Sequence, residues 1–216
     1  MTGADIIASL RGRLIVSCQA PFGSPLHDPY VIARMAIAAE QGGAVAVRID
    51  SPDHIRAVRA LCTVPIIRLH KQVHADSDVY ITPTRTAAED VVAAGADIVA
   101  VDATRRPRPG GESLEAVIGA LRRGDGVDLL ATTLSGYTAD STPRDGPDFD
   151  LVTALSRRAH VPVICEGRLR TTGDVRRAFD AGAFAAVVGR AITGIDGLVG
   201  EFVRATPFAG RTPGDA

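Results

Sequence analysis

Val163-Ile164-Cys165-Glu166-Gly167-Arg168 and Ala185-Ala186-Val187-Val188-Gly189-Arg190-Ala191-Ile192 decide the fold. Each is a run of apolar residues that reaches a glycine followed by an arginine, and a helical segment, 174–181, lies between them. Apolar runs without alternation, joined by a helix, are typical of parallel strands covered on the outside. Glycine turns after late strands of a βα barrel are a usual seat of phosphate groups, because several backbone N–H groups point at one place. These stretches therefore predict a barrel that holds a phosphorylated small molecule.

The same alternation of apolar runs and helical segments continues along the rest of the chain. It predicts five further strands, at residues 14–17, 44–49, 65–69, 98–102 and 128–132. Three glycine–alanine pairs support the repeat, because each places a helix-ending glycine just before a strand: Gly43-Ala44, Gly95-Ala96 and Gly182-Ala183. The helix before Gly95 is expected to begin with a capping box formed by Thr86 and Glu89.

This pattern predicts an α/β fold of the (β/α)8 TIM-type barrel class, formed by one domain over residues 1–216. The count of seven strands is one fewer than such a barrel has, so one βα unit is expected to be missing. Residues 79–82 are a candidate eighth strand, although they lie within a strand-to-helix loop. The Pro/Gly-rich residues from about 207 are predicted to form a frayed tail.

Composition argues against several classes of partner and site. The formal net charge of −1 gives no reason to expect nucleic acid or an anionic membrane as partner. No run reaches the roughly 18 consecutive apolar residues that span a bilayer. Cys18, Cys62 and Cys165 lack the spacing of a disulfide framework. His70 and His74 have i, i+4 spacing, but no HExxH or Cys/His set supports a metal site. We predict a reduced, cytoplasmic protein.

Polar residues follow most of the predicted strands, and Lys71 is the sharpest catalytic candidate among them. It comes directly after an apolar strand and has Arg68, His70 and His74 as neighbours in sequence. Partial burial and nearby positive charge both lower the pKa of a lysine toward the range where its amine accepts a proton. The alternatives are a solvated lysine at a strand end and a lysine that forms an imine with a carbonyl substrate.

Glu166 and the glycine turns are the other candidates. A carboxylate at the end of a buried strand needs a partner, which Lys71 or Arg48 can provide, and the pair is either catalytic or a structural salt bridge. Gly167-Arg168 and Gly189-Arg190 offer backbone N–H groups and guanidinium groups to a phosphate. The alternative is two ordinary turns with arginines on the surface.

Several stretches resemble one family. They are Leu14-Ile15-Val16-Ser17-Cys18-Gln19-Ala20, Ile81-Thr82-Pro83-Thr84, Val101-Asp102-Ala103-Thr104 with Arg106-Pro107-Arg108-Pro109, Thr132-Thr133-Leu134-Ser135-Gly136-Tyr137-Thr138, Glu166-Gly167-Arg168, and Val187-Val188-Gly189-Arg190-Ala191-Ile192-Thr193. Together they are similar to signatures of the N-acetylmannosamine-6-phosphate 2-epimerase family, from about Leu10 to Ala205.

The resemblance implies a (β/α)8 barrel of bacterial sialic-acid and amino-sugar catabolism. It implies Lys71 and Glu166 as catalytic residues, and it implies the following as substrate-binding residues: Gln19, Arg48, Tyr137, Gly167, Arg168, Gly189 and Arg190. The implied reaction interconverts N-acetylmannosamine 6-phosphate and N-acetylglucosamine 6-phosphate by removal and return of the C2 proton. That chemistry requires no metal or redox cofactor, so none is expected.

The chain also departs from the family pattern. Residues 122–128 lead straight into the strand at 128–132, where the family has a further strand and helix. An aspartate that the resemblance would place in the active site is lost with that unit. Gly194 stands where the family usually has Arg-Pro, and Arg68 stands where it usually has glycine. These departures leave open a catalytically impaired sugar-phosphate-binding relative, and also a homodimer that fills the gap in the barrel.

Overall fold

The computed structural model describes residues 2–95, 97–121 and 127–207, apart from the side chain of residue 120. Strands and helices alternate along it. In chain order they are α1 (Gly3–Ser9), β1 (Leu14–Cys18), α2 (Pro29–Gln41), β2 (Ala46–Asp50), α3 (Pro52–Arg59), β3 (Ile66–Leu69), α4 (Arg85–Ala93), β4 (Ile98–Val99), a 3₁₀ turn (Pro109–Gly111), α5 (Leu114–Leu121), β5 (Leu130–Ala131), α6 (Phe149–Arg158), β6 (Val163–Glu166), α7 (Thr172–Asp180), β7 (Ala185–Val188), α8 (Arg190–Thr193) and α9 (Ile195–Arg204).

Seven strands form one sheet in the order β4-β3-β2-β1-β7-β6-β5, and every pair is parallel. The first and last strands of the chain are neighbours, with Leu14 opposite Ala186, so the sheet curls round on itself. This is the arrangement of a TIM-type barrel, and it confirms the predicted fold class and the count of seven. The carboxyl ends of β1, β2, β3, β6 and β7 therefore meet at one end of the molecule.

The strands are apolar on both faces because each face is covered. Ile15, Ala46, Ile67, Ile164 and Val187 pack together inside the curled sheet. The alternate residues of the same strands, among them Val16, Cys18, Val47, Ile49 and Ile66, pack outward with α2, α3 and α4. Two buried faces explain why the sequence shows continuous apolar runs rather than alternation.

The ends of the helices follow the local sequence signals. Asp28 caps α2, with Pro29 at the first helical position. Gly43, Gly95 and Gly182 follow α2, α4 and α7 with φ near +93°, the left-handed conformation that favours glycine at a helix end. The predicted capping box in α4 is wrong. Thr84, two residues earlier than predicted, caps the helix by accepting from the Ala87 N–H. The short helices α1 and α8 were not predicted.

The sheet has two ends, β4 and β5, and each is only two residues long. Within residues 2–95, 97–121 and 127–207 no pairing joins them, and no eighth parallel strand lies between them. The candidate eighth strand forms a single antiparallel bridge, Lys71 to Ile81, instead of a sheet strand. The predicted site of the missing unit falls mainly on residues 122–126, and the predicted tail falls beyond residue 207. Both lie outside the described residues.

The three cysteines are buried and free. Burial raises the pKa of the Cys18 thiol to about 12 and that of the Cys165 thiol to about 11. In the described part of the chain, no helix is long and apolar enough to cross a membrane.

Candidate active site

One cavity of about 250 Å³ opens at the carboxyl ends of the strands. It brings together eight of the nine predicted site residues: Arg48, Lys71, Tyr137, Glu166, Gly167, Arg168, Gly189 and Arg190. Ser17, Tyr80 and Thr133 also line it. A depression of about 410 Å³ lies at the opposite ends of β1, β6 and β7, but its lining residues include neither a lysine nor a carboxylate. Eight of the nine predicted site residues therefore lie together at one end of the barrel.

Lys71 lies just beyond β3 and is held by two neighbouring strand ends. Its ammonium Nζ donates to Gln19 Oε1 at 2.6 Å and lies 3.8 Å from Asp50 Oδ2. Removal of the ammonium from bulk water lowers the pKa of Lys71, and Arg48 lowers it further, whereas Asp50 and Glu166 raise it. The side chain is 39% exposed, so the amine remains accessible to a ligand in the cavity.

Lys71 is also the only lysine of the chain. The 24 Lys and Arg residues are all arginine except this one. Arginine stays protonated in proteins, whereas burial and nearby charge readily shift the pKa of a lysine. A chain that uses arginine everywhere else has its single lysine amine at the mouth of the barrel. The composition thus points to position 71 independently of its place after a strand.

Glu166 ends β6 and is paired with Arg48 from the middle of β2. Arg48 Nη1 lies 3.3 Å from Glu166 Oε1, and both side chains are largely buried, at 7% and 14% exposure. The Thr133 hydroxyl donates to Glu166 Oε2 at 2.7 Å. The predicted partner Arg48 is thus the one in contact. One carboxylate oxygen is held by Arg48 from across the barrel and the other by Thr133 just beyond β5, so the group has a fixed orientation in the cavity.

The two glycine turns flank the same cavity. Gly167 has φ of +115°, a conformation that residues with a side chain rarely adopt. Gly189 lies so close to β1 that a Cβ there would come within 3.3 Å of the Ser17 Cβ. Both positions therefore favour glycine for physical reasons, one for its backbone conformation and one for its close packing. Because neither residue has a side chain, the cavity is lined by backbone atoms at both positions.

The arginines beside these turns are partly engaged within the protein. The Arg168 guanidinium stacks on the Tyr137 ring at 3.8 Å and donates to the carbonyl oxygens of Ser135 and Gly136. Arg190 runs alongside Gly194, where a Cβ would come within 2.8 to 3.0 Å of three Arg190 atoms. Arg168 thus holds the loop after β5 against the loop after β6, and Gly194 leaves room for Arg190.

Three predicted neighbours of Lys71 do not surround its amine. The Arg68 side chain packs against the end of α4, where Nη1 donates to the Val91 carbonyl oxygen. His70 faces Asp90 at 4.0 Å, and neither histidine is among the groups that shift the pKa of Lys71. The expectation of nearby positive charge from these three residues was wrong. Arg48 supplies that charge instead, because β2 and β3 are adjacent and place Arg48 inside the barrel.

Gln19 was expected to contact the substrate, but its side-chain oxygen accepts from Lys71 and its amide nitrogen donates to Ser17 Oγ at 2.9 Å. Its role in substrate binding stays a prediction. Asp50, which holds Lys71, was not predicted from the sequence, because nothing in the sequence of β2 distinguishes it from an ordinary strand-ending residue. Thr133, which holds Glu166, lies within the Thr132–Thr138 stretch that carries the family resemblance, but it was not predicted to be a site residue.

The class of protein follows from the fold and the cavity. The sheet is curled and parallel, and one cavity holds a lysine, a carboxylate paired with an arginine, and two glycine turns. It is a TIM-type barrel that presents reactive side chains at the carboxyl ends of its strands. A family model described as "Putative N-acetylmannosamine-6-phosphate epimerase" matches residues 32–125 and 122–207. The chain belongs to this family.

Individual relatives agree with the family match. Two relatives are named "Putative N-acetylmannosamine-6-phosphate 2-epimerase". The protein from Synechococcus elongatus is 49% identical to this chain, and the match covers 91% of this chain and 94% of the relative. The protein from Cutibacterium acnes is 43% identical, and the match covers 91% of this chain and 95% of the relative. The solved structure of the N-acetylmannosamine-6-phosphate 2-epimerase from Clostridium perfringens superposes with a TM-score of 0.88 at 35% identity, covering 93% of this chain and 96% of that one. Orotidine 5'-phosphate decarboxylase from Pyrococcus horikoshii shares the fold alone. It superposes with a TM-score of 0.54 at 16% identity, covering 84% of this chain and 91% of that one.

The comparisons also bear on the missing unit. The alignment with the Synechococcus protein runs over 220 positions, more than the 216 residues of the whole chain, although only 91% of this chain takes part. The relative therefore has residues without a counterpart here. The family model matches in two segments that meet at 122–125, at the predicted junction. The first observation agrees with a missing unit, and the second agrees with its predicted position between α5 and β5.

Proposed function

We propose that this protein interconverts N-acetylmannosamine 6-phosphate and N-acetylglucosamine 6-phosphate. The observation that carries the proposal is the single cavity lined by Lys71, Glu166, Arg48 and the turns at Gly167 and Gly189. Membership of the epimerase family and the identities of 49% and 43% support this substrate over other sugar phosphates. No observation on the site favours the impaired sugar-phosphate-binding alternative.

The reaction divides between the two walls of the cavity. In the open-chain sugar the C2 proton lies next to the C1 aldehyde, so its removal sends the electron pair to the aldehyde oxygen as an enolate. Lys71, as the free amine, takes this proton, and a proton returned to the opposite face of C2 gives the other epimer. Glu166, held by Arg48 and Thr133, either orients the sugar or acts as the acid/base on that second face.

The remaining groups hold the substrate. The turns at Gly167 and Gly189, with Arg190 beside them, receive the phosphate, and Arg48 supplies positive charge near the developing enolate. Arg168 and Tyr137 close the cavity from the loop after β5. When the glycine turns hold the phosphate, the position of C2 relative to both reacting side chains is fixed. Proton transfer is then faster, because the loss of translational and rotational freedom has already occurred on binding. The proposed partner is the amino-sugar phosphate itself, and the proposed compartment is the cytoplasm. We also propose that the chain forms one domain and that two copies form a homodimer.

Deuterium exchange at C2 tests the proposal. Each epimer is incubated in D2O with the purified protein, and the C2 proton signal and the appearance of the other epimer are followed by NMR. We expect exchange with both in the wild type, and in Lys71→Met a loss of at least about a hundredfold for the epimer whose C2 proton Lys71 removes. Lys71→Arg is the matched control, because arginine keeps the charge but does not accept a proton. Wild-type exchange of both epimers in Lys71→Arg would refute Lys71 as the base.

Two other outcomes would overturn the proposed reaction. Saturable binding of either sugar phosphate without C2 exchange would make the protein a binder rather than an epimerase. A covalent adduct at Lys71, trapped by borohydride in the presence of substrate, would show that the amine attacks the carbonyl instead of taking a proton. The unmodified mass of borohydride-treated protein is the expected result.

A further inference from the structure

Asp50, the last residue of β2, contacts Lys71 at two points. The Lys71 backbone N–H donates to Asp50 Oδ1 at 2.9 Å, and the ammonium Nζ lies 3.8 Å from Asp50 Oδ2. The Asp50 side chain is 14% exposed, whereas that of Lys71 is 39% exposed. The carboxylate is thus more enclosed than the amine, and it lies against both the backbone and the tip of the lysine.

We propose that Asp50 is the positioning residue of Lys71, one that aims its amine at C2 of the substrate and sets its charge. The inference rests on the proposed function and names a residue that acts through Lys71 rather than on the sugar. Its backbone contact fixes where residue 71 leaves β3. Gln19, itself held by Ser17, contacts the ammonium from β1. The amine is therefore supported from the ends of two neighbouring strands.

Asp50 also balances the electrostatics of the amine. Removal from water and the Arg48 guanidinium both lower the pKa of Lys71, and the carboxylates of Asp50 and Glu166 oppose them. On α3, His54 also faces Asp50, but burial lowers the pKa of His54, so it is neutral at and above neutral pH. His70, next to Lys71 in the chain, faces Asp90 instead. Loss of the Asp50 charge should therefore lower the pKa of Lys71 further.

The single lysine allows a direct test. Protein free of tag lysines and labelled with lysine carrying 13C at Cε gives one side-chain signal, whose shift against pH reports the Lys71 pKa in the folded protein. We expect a lower pKa in Asp50→Asn than in the wild type, because asparagine keeps an oxygen for the Lys71 N–H but removes the charge. Asp53→Asn is the control, since Asp53 is 75% exposed and paired with Arg56, and it should leave the signal unchanged.

Kinetics separate positioning from charge. The rising limb of kcat/KM against pH should move to lower pH in Asp50→Asn, in step with the NMR titration. Asp50→Ala, which loses both contacts, should lower kcat by roughly 10- to 100-fold with KM little changed, because Asp50 is not among the residues that line the cavity. A thermal transition close to that of the wild type shows that each variant is folded.

The outcomes for this inference and for the proposed function differ. If Asp50→Asn leaves the Lys71 pKa and the pH profile unchanged and Asp50→Ala keeps the wild-type kcat, while the wild type exchanges C2 hydrogen, the positioning role is wrong and the epimerase stands. If the wild type shows no C2 exchange, the proposed function is wrong and Asp50 then has no substrate toward which to aim the amine. A lowered pKa together with a shifted pH profile supports both.

Discussion

The two regions of the sheet differ in how they are built and in what they carry. Ladders of three or four paired residues join β3, β2, β1, β7 and β6, whereas β4 and β5, at the ends of the strand order, each pair over only two residues. The first region, β1, β2, β3, β6 and β7, supplies Lys71, Arg48, Glu166 and both glycine turns. The second, β4 and β5, supplies none of them.

This difference separates the candidate site from the place where a βα unit is expected to be missing. That place lies beside β4 and β5, whereas the groups that would carry proton transfer lie on or directly after strands with neighbours on both sides. Only the loop after β5 contributes, through Thr133 and Tyr137, and it is held from the first region by Glu166 and Arg168. The weaker region is thus fastened to the stronger one at the cavity itself.

The largest expected effect separates the two roles left open for Glu166. Glu166→Gln keeps the size and most hydrogen bonds but removes the acid/base. If Glu166 serves the second face of C2, epimerisation should fall by roughly 10²- to 10⁴-fold while Lys71 still exchanges the C2 proton of one epimer in D2O. NMR of each epimer measures both rates. If Glu166 only orients the sugar, exchange and epimerisation fall together for both epimers.

The strands and the end of the barrel that carries the candidate site could be predicted from the sequence. Continuous apolar runs such as 163–166 and 185–188 predict buried parallel strands, and strand ends predict where Lys71 and Glu166 meet. The contacts of Arg68 and Asp50 could not be predicted, because they depend on which face of a strand each residue occupies and on the register between β2 and β3. A shift by one residue reverses the direction of every side chain.

The second prediction compares a salt bridge in each region. Arg48→Met leaves the enclosed Glu166 carboxylate without its cation and should lower the free energy of unfolding by about 3–5 kcal/mol. Arg59→Met, on α3, breaks the partly exposed pair with Asp97 beside β4 and should cost only about 0.2–1 kcal/mol. Urea unfolding at pH 7 measures both. Equal losses would mean that enclosure within the barrel does not distinguish these pairs.

The third prediction concerns packing in the two regions. Ile49 in β2 is fully buried, and Ile49→Ala should lower the free energy of unfolding by about 2–5 kcal/mol. Ile98 in β4 is only partly buried, so Ile98→Ala should cost roughly 1 kcal/mol. The same substitution at both sites removes differences in side-chain chemistry. If the free energy of unfolding falls as much in Ile98→Ala as in Ile49→Ala, the two ends of the sheet are packed no more loosely than its middle, and the comparison is wrong.

The smallest effect is expected at the boundary, where Arg68 of β3 pairs in register with Val99 of β4. Its side chain is fully buried, yet within the described residues two of its guanidinium nitrogens, Nε and Nη2, have no hydrogen-bond partner. Burial lowers the pKa of Arg68, which means that the charged form is disfavoured in the folded protein. A buried cation with two unpaired nitrogens, which the charge of Asp97 offsets only in part, weakens the junction between the two regions.

Arg68→Met should therefore raise the free energy of unfolding by roughly 1–3 kcal/mol, since methionine fills much of the space without an unpaired charge. The gain is limited, because the Val91 carbonyl loses the hydrogen bond that Arg68 donates to it. Arg56→Met, whose side chain is 59% exposed on α3, is the matched control and should change stability by less than about 0.5 kcal/mol. Destabilisation by Arg68→Met would mean that the guanidinium is compensated after all, and the junction with β4 would then be held by charge rather than weakened by it.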